Sequence, residues 1–181
     1  MHNLRDWYLR EQEEKPAKKR RDEKMTFYIG VDPGQSGAWA ILDEQGHWIM
    51  SSLFAEADAF GTLIETIALF REDQRSIEAC IEQVHSMPKQ GVASTFKFGT
   101  NYGMWQGFFR GKDVPYELIT PNRWMKAVLD SGGKDPNARL EFARRRWPVA
   151  PLKRKKDKGV ADALCIAEYT RTRRQEKNGQ A

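Results

Sequence analysis

Three carboxylates stand where apolar side chains are expected. Asp32 closes the run TFYIGVD, Glu82 lies near the end of IEACIEQV, and Asp162 falls early in the apolar stretch GVADALCIAEY. An ionised carboxylate isolated in a low-dielectric core is too costly to persist, so each acid must be protonated, paired with a base or held on a cation. No lysine or arginine lies within the same three runs. Taken singly, each acid reads as a cap or a surface group. Taken together at strand ends, they predict an oxygen-ligand site for Mg²⁺ or Mn²⁺. Asp157 is a fourth candidate. Five residues before Asp162 on one continuous helix, it would point about 140° away, so it joins the others only from a loop ahead of the helix; otherwise it is that helix's N-cap.

The pattern around these acids predicts a mixed α/β layer fold. TFYIGVD, AWAILD and HWIMSSLF read as three antiparallel strands, joined by PGQSG and by the polar turn Asp43-Glu44-Gln45-Gly46. Asp58 is placed to cap a helix in which Phe60, Leu63, Ile64 and Ile67 recur at helical spacing. IEACIEQV is a buried strand and VPYELIT a further one. Pro121 opens the helix PNRWMKAVL, which Gly132 and Gly133 follow. Asp135 and Pro136 open another that reaches Trp147, with Arg139, Arg144, Arg145 and Arg146 on its exposed sides. A final helix spans GVADALCIAEYTRTRR. Between Ser94 and Arg110 a helix carries Gly99, Gly103 and Gly107, with Gly111 beyond, at intervals of four. Glycine weakens helices, so the ridge needs a close neighbour: the domain's own sheet or a partner helix.

At 181 residues the chain fits one domain of ordinary size. Residues 1–24 carry few apolar side chains and read as a charged arm, disordered or briefly helical; residues 25–174 form the domain and 175–181 a flexible tail. No apolar run reaches the roughly 18 residues of a membrane span, and the amino terminus lacks an apolar signal region. The two cysteines, Cys80 and Cys165, lie in apolar stretches as reduced core thiols, which together predicts a cytosolic protein. The net charge of +5 is unevenly placed: residues 139–158 hold nine basic and two acidic side chains, whereas residues 25–138 hold nine basic and fourteen acidic. A basic block beside an acid-rich body predicts a gripped polyanion, nucleic acid above all. Lys153, Arg154, Lys155, Lys156 and Lys158 are the foremost phosphate-contact candidates.

IGVDPGQSGA at 29–38, IEQVHSMPKQGVASTFKFG at 81–99 and DKGVADALCIAEY at 157–169 together resemble the RuvC-like Holliday-junction resolvases, particularly their phage and bacterial branch. The resemblance runs in order over most of residues 26–174. It implies an RNase H-like fold, a homodimer, a bacterial or phage-infected cell, and metal-dependent cutting of four-way DNA junctions that leaves 5′-phosphate and 3′-hydroxyl ends. By motif position Asp32, Glu82 and Asp162 are the implied catalytic acids, with Asp157 the only acid near the position of a fourth. Two Mg²⁺ ions, replaceable by Mn²⁺, are the implied cofactors, and no small-molecule cofactor is expected. The loop from Ser86 to Gly99 resembles by position the one that enters the junction centre. Met87, Phe96 or Phe98 there could wedge against bases, Lys89 and Lys97 could meet phosphates, and His85 could contact DNA.

The leading expectation is therefore a structure-selective DNA endonuclease acting on branched DNA. Its rivals are a nuclease for RNA–DNA hybrids or other branched DNA, which the acids alone do not separate, and a non-catalytic nucleic-acid-binding protein of the same fold. Transposases and sugar kinases of related fold need more chain than 181 residues supply.

Overall fold

The computed structural model describes residues 25–34, 37–56, 58–83, 91–129 and 135–179. The charged arm at 1–24, His85, Met87, Lys89 and the glycines at 132 and 133 lie outside these. Three strands open the domain: β1 (Thr26–Asp32), β2 (Ala38–Leu42) and β3 (Trp48–Leu53). Helix α1 (Ala59–Glu72) leads to β4 (Ser76–Glu82), and α2 (Val92–Gly111) to β5 (Tyr116–Ile119). Then follow α3 (Pro121–Leu129), α4 (Pro136–Arg146), a 3₁₀ turn at Lys155–Asp157 and α5 (Lys158–Gly179). The last helix thus continues through residues 175–179, expected above to be part of a loose tail.

The strands form one sheet in the order β3-β2-β1-β4-β5. β1 and β2 pair antiparallel, as do β2 and β3, whereas β4 pairs parallel with β1 and β5 parallel with β4. Alternation along a strand sends successive side chains to opposite faces. Phe27, Ile29 and Val31 of β1 and Ile77, Ala79 and Ile81 of β4 join Leu63, Ile67 and Phe70 of α1 and Trp105 and Phe109 of α2 in one core layer. The residues between them, including Gly30, Asp32, Cys80 and Glu82, face α3, α4 and α5. There the second layer gathers Cys80, Trp124, Leu140, Ala143, Trp147, Leu164, Cys165 and Ile166.

Gly30 sets how closely α5 approaches. A Cβ at this position would stand 2.0 Å from the Ala163 carbonyl oxygen and 2.4 Å from the Ala167 nitrogen. The helix backbone therefore rests directly on β1, an approach that any larger residue prevents. Asp135 caps α4 as expected, accepting a hydrogen bond from the Asn137 N–H at 2.9 Å, with Pro136 in the first turn. The Trp147 indole donates to the Gly46 carbonyl at 2.9 Å and ties the end of α4 to the β2–β3 turn.

Asp58 does not cap α1. Its backbone is left-handed, with φ of 63°, and its side chain makes no capping bond; instead the carboxylate lies over Gly61, where a Cβ would meet it at 2.0 Å. Both cysteines are buried free thiols, and burial pushes Cys80 up to about 12 and Cys165 well above its ordinary value. No helix among the described residues is long and apolar enough to cross a membrane.

Candidate active site

The parallel pairing of β1 with β4 brings two of the acids together. Val31 stands opposite Ile81 in that register, so Asp32 and Glu82 end neighbouring strands one step further on, at the same edge and on the same face. The close seat of α5 on Gly30 brings Asp162, one residue before the contact at Ala163, over that edge. Sequence pattern, strand register and a glycine contact thus converge three carboxylates contributed by three elements.

Each acid is held by a different donor. Asp32 accepts the Gly34 N–H on Oδ1 at 2.9 Å. Glu82 accepts the Trp124 indole N–H on Oε1 at 2.9 Å, because α3 starts directly after β5 and turns its buried Trp124 back over the strand end. Asp162 receives a forked pair from Arg139, Nε to Oδ1 at 2.6 Å and Nη2 to Oδ2 at 2.9 Å. Arg139 also lies over the Trp124 ring, 6.0 Å from its centroid.

The electrostatics are those of like charges crowded away from water. Burial, then the charges of Glu82 and Asp162, raises the Asp32 carboxyl to about 7, against the smaller opposing pull of the Gly34 N–H and Arg139. Burial raises Glu82 as well, opposed by the Trp124 bond, and raises Asp162, opposed by Arg139. Lys158 also lies close enough to lower Asp162.

Such a donor set suits a hard divalent cation. It offers only carboxylate oxygens, and an added positive charge would relieve both their desolvation and their mutual repulsion. The side chains as they stand are engaged by Gly34, Trp124 and Arg139, and among the described residues no three acid, histidine or cysteine side chains close on one point.

Asp157, the fourth candidate, is held by Arg154. It is buried at the end of the 3₁₀ turn, where Oδ2 accepts the Arg154 backbone N–H at 2.7 Å and Oδ1 the Arg154 Nε at 2.9 Å. Both oxygens are engaged by Arg154 across the 3₁₀ turn that precedes α5, with Arg154 as the N-cap of that turn and Asp157 at its third position.

The basic segment lies immediately before α5. Lys153, Arg154, Lys155 and Lys156 are exposed, and Lys158 is partly buried at the helix start. Arg154 is engaged by Asp157 and lies 3.9 Å from Glu56. Arg144 anchors the segment by donating to the carbonyls of Leu152 at 2.6 Å and Lys153 at 3.0 Å. Lys97 is exposed on α2, as is Phe96, while Phe98 is partly buried.

Sequence reasoning missed two residues of the site. Arg139, expected on an exposed side of its helix, turns inward and is 14% exposed. Its position was readable: Arg139, Ala143 and Trp147 recur every four residues, so they share one face, and the other two are buried. Trp124 carried no such signal, since nothing local to PNRWMKAVL indicates a distant carboxylate. A cavity of about 440 Å³ between β4, β5 and α5, lined by Glu78, Cys80, Glu117, Tyr169 and Arg173 among others, includes none of Asp32, Glu82 and Asp162.

A mixed sheet whose three leading antiparallel strands run on into parallel β4 and β5, with α5 laid across β1, is an RNase H-like architecture. Two solved structures carry it over most of this chain. One is Thermus thermophilus RuvC, with 14% identity and a TM-score of 0.57; the other is T. thermophilus RuvC in complex with a Holliday junction substrate, with 12% identity and a TM-score of 0.55. Each alignment covers 84% of this chain and 96% of the other. The RuvC fold that the three motifs implied is therefore the fold of this chain. No protein-family model matches it, and no curated protein does.

Proposed function

We propose that this chain is a metal-dependent endonuclease of branched DNA, which resolves four-way junctions by paired symmetric nicks leaving 5′-phosphate and 3′-hydroxyl ends. The observation that carries the reading is the convergence of Asp32, Glu82 and Asp162 at one sheet edge, with the basic segment at 153–158 leading straight into the helix that supplies Asp162. The similar RuvC structure solved with a Holliday junction supports the substrate class. The exposed ridge of α2 supports a homodimer: a Cβ at Gly99, Gly103 or Gly107 meets nothing within 4 Å among the described residues, so the glycines answer no need of the described sheet. Buried reduced thiols suit the cytoplasm of a bacterial or phage-infected cell.

Asp32, Glu82 and Asp162 would hold Mg²⁺, two ions in the implied arrangement and Mn²⁺ as a substitute. Bound there, the metal would supply Lewis-acid activation of water and charge stabilisation for the departing 3′ oxygen. The chain's own part is positioning. The Gly34 N–H and the Trp124 indole each bond one oxygen of Asp32 and Glu82 and so limit the rotamers that these carboxylates sample before substrate arrives. Lys153, Lys155, Lys156 and Lys158 hold phosphates beside Asp162, Arg144 keeps their loop in place, and Lys97, with Lys89 ahead of it in sequence and outside the described residues, extends the phosphate contacts.

The test is incubation of the full chain with end-labelled four-way junction, replication fork, RNA–DNA hybrid and linear duplex, each with Mg²⁺ or EDTA. Paired nicks in the junction with Mg²⁺, sealed afterwards by DNA ligase, are expected. Preferred cutting of hybrid or fork would replace the substrate class. Junction binding with no cutting in Mg²⁺ or Mn²⁺ would make the protein a binding module of the same fold.

A further inference from the structure

Among the described residues, Arg139 is the basic side chain that forks onto a site carboxylate, and it does so from a helix whose other arginines serve different ends. Arg144 reaches the loop carbonyls and Arg146 reaches Glu168. Arg139 instead extends across the Trp124 ring and engages both oxygens of Asp162, the two side chains being 14% and 15% exposed. A guanidinium does not lose its proton in a protein, and its planar fork matches a carboxylate edge with two parallel bonds. Both oxygens of Asp162 therefore already serve a permanent cation.

We propose that Arg139 is a built-in counter-ion that competes with a divalent metal ion for Asp162 and must release the carboxylate before the metal can take it. This rests on reading the three acids as a metal site. Two physical facts support the competition. Both oxygens that would ligate already accept from Nε and Nη2, so neither is left uncommitted and a metal would share each with the guanidinium. A fixed positive charge also opposes a second cation strongly where water is largely excluded. The trio is thus kept from full mutual repulsion without metal, at the expense of metal affinity. A guanidinium that merely braced the site would act in the opposite direction, because without it Asp162 would lose its aim and metal would bind more weakly.

The experiment is calorimetric titration of the full chain with Mn²⁺ in the absence of DNA, comparing wild type, Arg139→Gln, Arg139→Lys and Asp162→Asn. Arg139→Gln is expected to bind Mn²⁺ at least about tenfold more tightly than wild type. Arg139→Lys, which keeps the charge and loses the fork, should fall between them. Equal or weaker binding by Arg139→Gln would overturn the competition while leaving the metal site intact, since wild type would still bind. If Arg139→Gln is unfolded by circular dichroism, Arg139→Lys carries the same criterion: tighter binding supports the proposal and equal or weaker binding overturns it. Wild type that binds no Mn²⁺, or binds it equally after Asp162→Asn, would overturn the metal site and the proposal together.

Discussion

Asp32, Glu82 and Asp162 differ in what holds them, and that decides what their substitution does. Glu82→Gln keeps an oxygen for the Trp124 indole, and Asp162→Asn keeps one acceptor for Arg139. Both variants should fold, bind junction DNA and lose cutting by a factor of at least ~100, because each removes an anionic ligand without removing bulk. Gel shift and cleavage assays check this, and near-normal turnover in both would end the assignment. Asp157→Asn should behave differently. Its bonds go to Arg154, so the expected loss is about 1 kcal/mol of stability with cutting retained, read by thermal melting beside the cleavage assay. The pH dependence follows from Asp32. Its carboxyl titrates at about 7 in the folded chain, raised from 3.8 by burial first and by Glu82 and Asp162 next. Between those values the folded state keeps a proton that the unfolded chain has lost, so unfolding releases a proton and stability falls as pH rises. The fall is on the order of 4 kcal/mol at most and is complete above the folded value. In EDTA, wild type should therefore melt lower at pH 8 than at pH 5, and Asp32→Asn should remove the largest share of that difference. An equal difference in both proteins would contradict the burial of this acid.

At the scale of elements, the segment 153–158 is where charge and site meet. Replacing Lys155, Lys156 and Lys158 by Ala should weaken binding to every DNA sequence and flatten the salt dependence, by up to ~0.9 in the logarithmic slope for each phosphate that is no longer neutralised. Fluorescence anisotropy over a salt series reads this directly, and an unchanged slope would make the segment a solvated face only. The elements that were legible had local punctuation as well as periodicity. Pro121 marks the start of α3 and the Asp135-Pro136 pair that of α4, and TFYIGVD ends as β1 ends. Asp58 misled because its left-handed backbone aims the carboxylate over Gly61 and away from the first helical N–H groups. The three acids were legible as charges in apolar runs; their donors were not, because Trp124 and Arg139 reach them across the tertiary structure. The glycine ridge left two neighbours open, and only the open space at the glycine face of α2, whose Trp105 and Phe109 pack on the sheet, separates them.

For the whole molecule, the ridge on α2 is where the proposed pairing of two copies would form. Val92, Phe96, Gly99, Gly103 and Gly107 follow one another at helical spacing, and Val92 is 87% and Phe96 74% exposed. Each glycine costs the isolated helix up to ~1 kcal/mol relative to alanine, and none is required by a contact within the described residues. A two-fold pairing of this face on a second copy would bring two equivalent active sites to the two equivalent strands of a junction. Gly103→Leu separates the two roles of the position. Within one copy a Cβ at 103 meets nothing within 4 Å among the described residues, and leucine is the better helix former, so the folded chain should melt no lower than wild type. Between copies its side chain should hold the helices apart, giving monomer by sedimentation and single, unpaired nicks in a junction. If Gly103→Leu stays dimeric, the seam lies elsewhere. If wild type sediments as a monomer at micromolar concentration with and without DNA and still cuts, paired resolution gives way to a simpler branched-DNA nuclease working one strand at a time.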